Sequence, residues 1–100
     1  MQWYDRQGNR ITILDFGRLR EDRAYCAVAN DGLPNGRVVS TVWLGLDHNW
    51  SRKGPPLIFE TMVFPAPDDT LDWDRRRYSM EEEALAGHRA MVEKWSKKEV

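Results

Sequence analysis

A chain of 100 residues with a formal net charge of −1 is expected to fold as a single domain covering residues 1–100. Its 15 lysines and arginines are balanced by 16 aspartates and glutamates, which argues against non-specific nucleic-acid binding because that depends on a strong positive field. No apolar run is long enough to span a membrane, the first residues lack the apolar stretch of a secretory signal, and the single cysteine, Cys26, has no internal partner for a disulfide. We therefore expect a cytosolic protein.

The first quarter of the chain predicts two short extended segments around a turn, followed by a short helix. The two segments and the turn between them cover residues 2–4, 10–14 and 5–9. Asp15 is predicted to cap a helix over residues 16–21. In that helix Phe16 and Leu19 lie on one side, which indicates that this side packs against the rest of the protein.

Three longer strands are predicted in the middle of the chain, and they are expected to form an antiparallel meander. Their ranges are 23–29, 37–47 and 57–64, with turn-forming residues between the first two. The third strand is almost wholly apolar, as is typical of a central strand covered on both faces, and Pro65 ends it because proline cannot donate to a sheet. An edge strand is expected over residues 73–78.

A final amphipathic helix is the strongest local signal. Ser79 and Glu82 have the spacing of a capping box at its start. Its apolar positions recur at helical spacing and are Ala84, Leu85, Met91, Val92 and Trp95. The predicted fold is therefore α+β, an antiparallel sheet of about four strands with a C-terminal amphipathic helix and a short N-terminal helix packed on one face.

Four ionisable side chains are candidates for a metal or acid–base site by their placement, and they are Asp47, His48, Glu60 and His88. Carboxylate and imidazole groups suit zinc or manganese. The alternative interpretation is that Glu60 pairs with an arginine while His88 is a hydrogen-bonded histidine of the core. Because no recognised metal-binding spacing is present, we predict no metal or cofactor and do not expect an enzyme.

The other candidate binding residues are aromatic or basic, and they are Trp43, Trp50, Arg52, Arg75, Arg76 and Arg77. Trp50 and Arg52 lie in a predicted loop over residues 48–54, where nothing in the local pattern holds the tryptophan in a core. The three consecutive arginines lie between Trp73 and Tyr78, and arginines beside aromatic rings would clamp a phosphate-bearing ligand. The alternative is that these arginines pair with neighbouring aspartates.

Four segments of the chain carry a resemblance, and they cover residues 3–8, 40–48 (STVWLGLDH), 56–64 (PLIFETMVF) and 77–88. Together they resemble a family of small proteins encoded in phage and prophage genomes. The resemblance implies a phage accessory protein that binds a host protein in the bacterial cytoplasm. The host protein could belong to a defence system. Two alternatives stay open, a sponge for a phosphate-bearing signalling nucleotide and a minimal metal-dependent enzyme. If the chain self-associates, a twofold homodimer is expected.

Overall fold

A four-stranded antiparallel sheet, in the order β3–β4–β5–β6, forms the centre of the protein. The computed structural model describes residues 1–51, 53–69 and 74–97. The elements in chain order are β1 (Trp3–Tyr4), β2 (Arg10–Ile11), α1 (Ile13–Glu21), α2 (Arg23–Cys26), β3 (Ala27–Gly32), β4 (Val38–Trp43), β5 (Phe59–Phe64), β6 (Asp74–Tyr78) and α3 (Glu81–Lys97). Within these ranges no helix has the length and apolar character needed to cross a membrane.

The two faces of the sheet differ in what covers them. Along β4 the side chains of Val39, Thr41 and Trp43 are fully buried on the face that packs against α3, and the residues between them are half-buried on the other face. Helix α3 contributes four buried residues to this interface, Ala84, His88, Met91 and Trp95. The predicted α+β fold is therefore confirmed, with the long helix and the short N-terminal helix against an antiparallel sheet of four strands.

The two short helices begin at caps that the sequence pattern did not single out. Thr12, not Asp15, caps α1, because its hydroxyl accepts the backbone N–H of Asp15 at 3.2 Å. The strand predicted over 23–29 instead begins with the helical turn α2, which Asp22 caps by accepting the N–H of Tyr25 at 3.1 Å. The extended segment predicted over 10–14 is correspondingly reduced to β2.

The long strand predicted over 37–47 is shorter in the structure. Gly45 has a φ of 75°, so the chain leaves the extended conformation soon after Trp43. The backbone N–H groups of Leu44 and Gly45 both point to the carbonyl oxygen of Ile58, at 2.7 and 3.4 Å. This arrangement closes the end of the β4–β5 hairpin and starts the loop that follows.

The cap of α3 lies one residue later than predicted. The carboxylate of Glu83 accepts the backbone N–H of Met80 at 3.1 Å, which is the reciprocal bond that the sequence assigned to Glu82 and Ser79. Helix α3 accordingly starts at Glu81.

A buried ion pair ties the start of β4 to the loop after β5. Arg37 Nε lies 2.8 Å from Asp69 Oδ2 and Arg37 Nη2 lies 3.0 Å from Asp69 Oδ1, and both side chains are 1% exposed. Arg37 Nη1 also donates to the carbonyl oxygen of Trp95 in α3, at 2.9 Å. The hydrogen bond from Arg37 holds the pKa of Asp69 below its usual range. The pair therefore joins sheet, loop and helix.

We expect this ion pair to make the protein sensitive to acid. A carboxyl group whose pKa is lowered by folding contributes stability above its unfolded pKa of about 4, and this contribution is lost as the pH falls through the lower, folded pKa. Chemical unfolding at a series of pH values from neutral down to about 2 measures the loss. The Asp69→Asn variant should be less stable at neutral pH and should lose less stability on acidification, and an acid dependence as steep as that of the unmodified protein would contradict this assignment.

Candidate functional site

The loop that joins β4 to β5 is closed at its base by side-chain hydrogen bonds. We call residues 47–57 the Trp50 loop; within it Arg52 lies outside the described residues. Asp47 Oδ1 accepts the backbone N–H groups of Asn49 and Leu57, at 2.8 and 3.0 Å. The backbone N–H of His48 donates to the carbonyl oxygen of Leu57 at 2.9 Å. Asp47 therefore holds together the two ends of the loop.

Asn49 organises the tip of the Trp50 loop. Its side-chain oxygen accepts from the backbone N–H and the hydroxyl of Ser51, at 3.2 and 2.5 Å. Its amide nitrogen donates to the carbonyl oxygens of Lys53 and Pro55, at 2.6 and 2.9 Å. Because these bonds lie within the loop, its shape is set by its own residues before any partner binds.

Trp50 projects from this loop into solvent. Its side chain is 69% exposed, and its ring centroid lies 5.5 Å from that of His48. His48 Nδ1 lies 2.7 Å from the carbonyl oxygen of Leu46, so this nitrogen carries the proton and donates. The loop therefore presents an ordered pair of rings at the surface.

The four acid–base candidates do not converge in the structure. Asp47 and His48 serve the Trp50 loop, whereas Glu60 lies on the face of the sheet away from α3, since it is adjacent to Thr61 on the covered face. Glu60 Oε2 lies 2.9 Å from Arg77 Nε and 3.9 Å from Arg75 Nε. This is the arginine pairing that the alternative interpretation described.

His88 lies in a hydrogen-bonded chain between α3 and the sheet. Its Nδ1 is 2.7 Å from Thr41 Oγ1, which is 2.6 Å from Thr61 Oγ1, and its Nε2 is 2.7 Å from Asp31 Oδ2. All donors and acceptors match when Nε2 carries the proton and donates to Asp31, while Thr41 donates to Nδ1. His88 is 4% exposed and both threonines are fully buried. This series of hydrogen bonds therefore fixes the orientation of α3 relative to the sheet. No group of three potential metal ligands occurs among the described residues.

Two further predicted binding groups are divided by the fold. Trp43 is fully buried, with Nε1 donating to the carbonyl oxygen of Tyr4 at 3.0 Å, so it belongs to the core and cannot touch a partner. Alternation along β6 places Arg75 and Arg77 beside Glu60 on one face and Arg76 on the face of α3. The predicted clamp of three arginines is therefore not formed, and Trp73, its predicted aromatic flank, lies outside the described residues.

The sequence pattern missed Asp31 as the partner of His88. Asp31 lies in a run of turn-forming residues, and no local periodicity relates it to a residue 57 positions further along the chain. It also missed that Lys94 and Tyr78 enclose a cavity with Arg76. A signal for that cavity exists only at Gly87, because a glycine in the middle of a strong helix marks a close approach by another residue.

No protein-family model, no curated protein and no solved structure matches this chain at a significant level.

Proposed function

We propose that this protein is a non-enzymatic binding protein that engages a partner protein through the Trp50 loop. The observation that carries the proposal is the 69% exposure of Trp50 on a loop whose shape Asp47 and Asn49 maintain. Exposed tryptophans gain a large apolar contact area when a partner covers them, and they are over-represented among the residues that dominate binding energy. A preorganised loop loses little conformational entropy on binding.

The charges around Trp50 define the chemistry of the partner. Lys53 is exposed in the same loop, three residues after Trp50, and Arg52 adds a second cation in the sequence. The complementary surface is an apolar pocket rimmed by acidic side chains, since such a rim both steers association and favours the correct orientation. The resemblance to phage-encoded proteins favours a bacterial host protein as the partner, for example a component of a defence system. Binding would then take place in the host cytoplasm.

We expect the Trp50→Ala variant to lose partner binding while it keeps its fold. Truncating a central aromatic residue of an interface costs about 2 kcal/mol or more, which is a loss of about thirtyfold in affinity. The experiment has two stages. Tagged protein first captures its partner from bacterial lysate, and the purified partner is then titrated against both the unmodified protein and the variant by calorimetry.

Leu14→Ala is the matched control, because Leu14 is 74% exposed on α1 and its truncation removes a comparable apolar side chain from another surface. The control variant should bind as the unmodified protein does. Equal affinity of the Trp50→Ala variant and the unmodified protein for the purified partner would contradict the proposal.

A further inference from the structure

A cavity of about 280 Å³ lies between β6 and α3, on a different part of the surface from the Trp50 loop. Its wall combines two cations and a tyrosine with small or flexible apolar residues of the helix. The lining residues are Arg76, Tyr78, Gly87, Ala90, Met91 and Lys94. Such a mixture of a few polar groups and an apolar wall is typical of small-ligand sites.

The shape of this cavity depends on the contact between Tyr78 and Gly87. A Cβ atom at Gly87 would overlap the hydroxyl and the ring of Tyr78, so a side chain at this position is incompatible with the present placement of the tyrosine. Glycine is unfavourable inside a helix, and the close approach of Tyr78 gives the physical reason for it here.

The hydroxyl of Tyr78 is buried and has no hydrogen-bond partner among the described residues. A phenylalanine would place the same ring against Gly87 without burying an unpaired polar group, and an unpaired buried hydroxyl is destabilising. Tyr78 therefore lines the cavity with atoms other than its hydroxyl, which is shielded from solvent and from a ligand there.

The charges at the cavity favour an anion. Arg76 is exposed and forms no ion pair with any residue that the structure describes. Lys94 Nζ donates to Asp74 Oδ2 at 2.8 Å and keeps two further N–H groups for a ligand. Asp74 Oδ2 also accepts from Trp95 Nε1 at 2.9 Å. Two cations thus lie at the cavity, and the Asp74 carboxylate that contacts Lys94 balances one of them.

We propose that this cavity binds a small organic phosphate. Arg76 and Lys94 hold the phosphate oxygens, and the apolar part of the ligand lies against Ala90 and Met91. A phosphate suits the site better than a single neutral acceptor, because it offers several oxygens and pairs with two cations. The volume limits the ligand to about the size of a mononucleotide or smaller.

Titration of the full chain with phenyl phosphate, followed by amide NMR shifts, tests the site. The amide signals of Arg76, Gly87 and Ala90 should move in a saturable manner. Arg76→Gln should weaken binding by about tenfold or more, whereas Arg75→Gln should change it by no more than about twofold. Arg75 is the matched control because it carries the same charge one residue away and faces Glu60 on the other side of the sheet.

Tyr78→Phe tests the wall of the cavity without the hydroxyl group. The variant should be at least as stable as the unmodified protein, because it no longer buries an unpaired hydroxyl. It should bind phenyl phosphate with an affinity within about twofold of that of the unmodified protein, because the hydroxyl is shielded from the ligand. Equal weakening by Arg76→Gln and Arg75→Gln would show unspecific attraction by charge and overturn the proposal. The absence of saturable shifts in the unmodified protein would overturn it as well.

Discussion

Replacing Trp43 with alanine is expected to lower the free energy of unfolding by about 3–5 kcal/mol. Trp43 is fully buried, and its ring lies 5.0 Å from that of Tyr25 in α2 and 5.8 Å from that of Phe16 in α1. Its indole N–H donates to Tyr4 in β1. One side chain therefore joins the sheet, both short helices and the N-terminal hairpin, so its removal leaves a cavity at the point where these elements meet.

Urea unfolding followed by far-UV circular dichroism measures this loss without relying on tryptophan fluorescence. Trp50→Ala removes the same side chain from an exposed position and should change the stability by no more than about 0.5 kcal/mol. Since domains of this size are stable by about 5–15 kcal/mol, the difference between the two variants will be a large part of the total. Similar losses in both would show that Trp43 is not the centre of the core.

The second large effect is expected for Gly45→Ala, which should destabilise the protein by about 2–5 kcal/mol. Two penalties add at this position. The φ of 75° is unfavourable for any residue with a Cβ atom, and an added Cβ would lie 2.6 Å from Trp43 Cζ2 and 2.7 Å from Phe16 Cε1. Trp43 is fully buried and half-buried Phe16 packs against it, so the added atom meets both rings.

Gly8→Ala isolates the backbone penalty from the steric one. Gly8 has a φ of 85°, and an added Cβ would meet nothing within 4 Å. We therefore expect only the conformational cost, about 1–2 kcal/mol, measured by the same urea unfolding. Equal losses for the two glycine variants would contradict the close packing of Gly45 against Trp43 and Phe16.

The same cluster links the stability of the core to the Trp50 loop. Gly45 accepts the backbone N–H of Tyr4 through its carbonyl oxygen at 2.8 Å, and Asp47, two residues later, closes the base of the loop. The loop therefore begins beside the buried cluster that contains Trp43. This connection anchors the base of the loop, while the hydrogen bonds of Asp47 and Asn49 set its shape.

The predictions that rested on local pattern were largely confirmed. Helix α3 follows from an apolar stripe at helical spacing, and β4 and β5 follow from runs of β-branched and apolar residues. These signals act over a few residues, so they can be identified without knowledge of the rest of the chain. The predicted antiparallel meander of the three middle strands is confirmed, because β3 pairs with β4 and β4 pairs with β5, as is common for strands that follow one another in sequence.

The short helices show where local pattern is not sufficient. Thr12 and Asp15 are both good capping residues, as is Asp22 before the segment that was predicted as a strand. Which cap is used depends on contacts that are distant in sequence, because α1 and α2 must bring Phe16 and Tyr25 to Trp43.

Local patterns were enough to identify the α+β fold, the strands of the sheet, the last helix and the surface character of Trp50. Which polar groups meet, in contrast, depends on how the elements pack against one another. Alternation along a strand is visible in the sequence, but which of its two faces α3 covers is not. Adjacent residues of a strand point to opposite sides of the sheet. That choice therefore places Glu60 on the face away from His88, and it places Arg76 on the face opposite to Arg75 and Arg77.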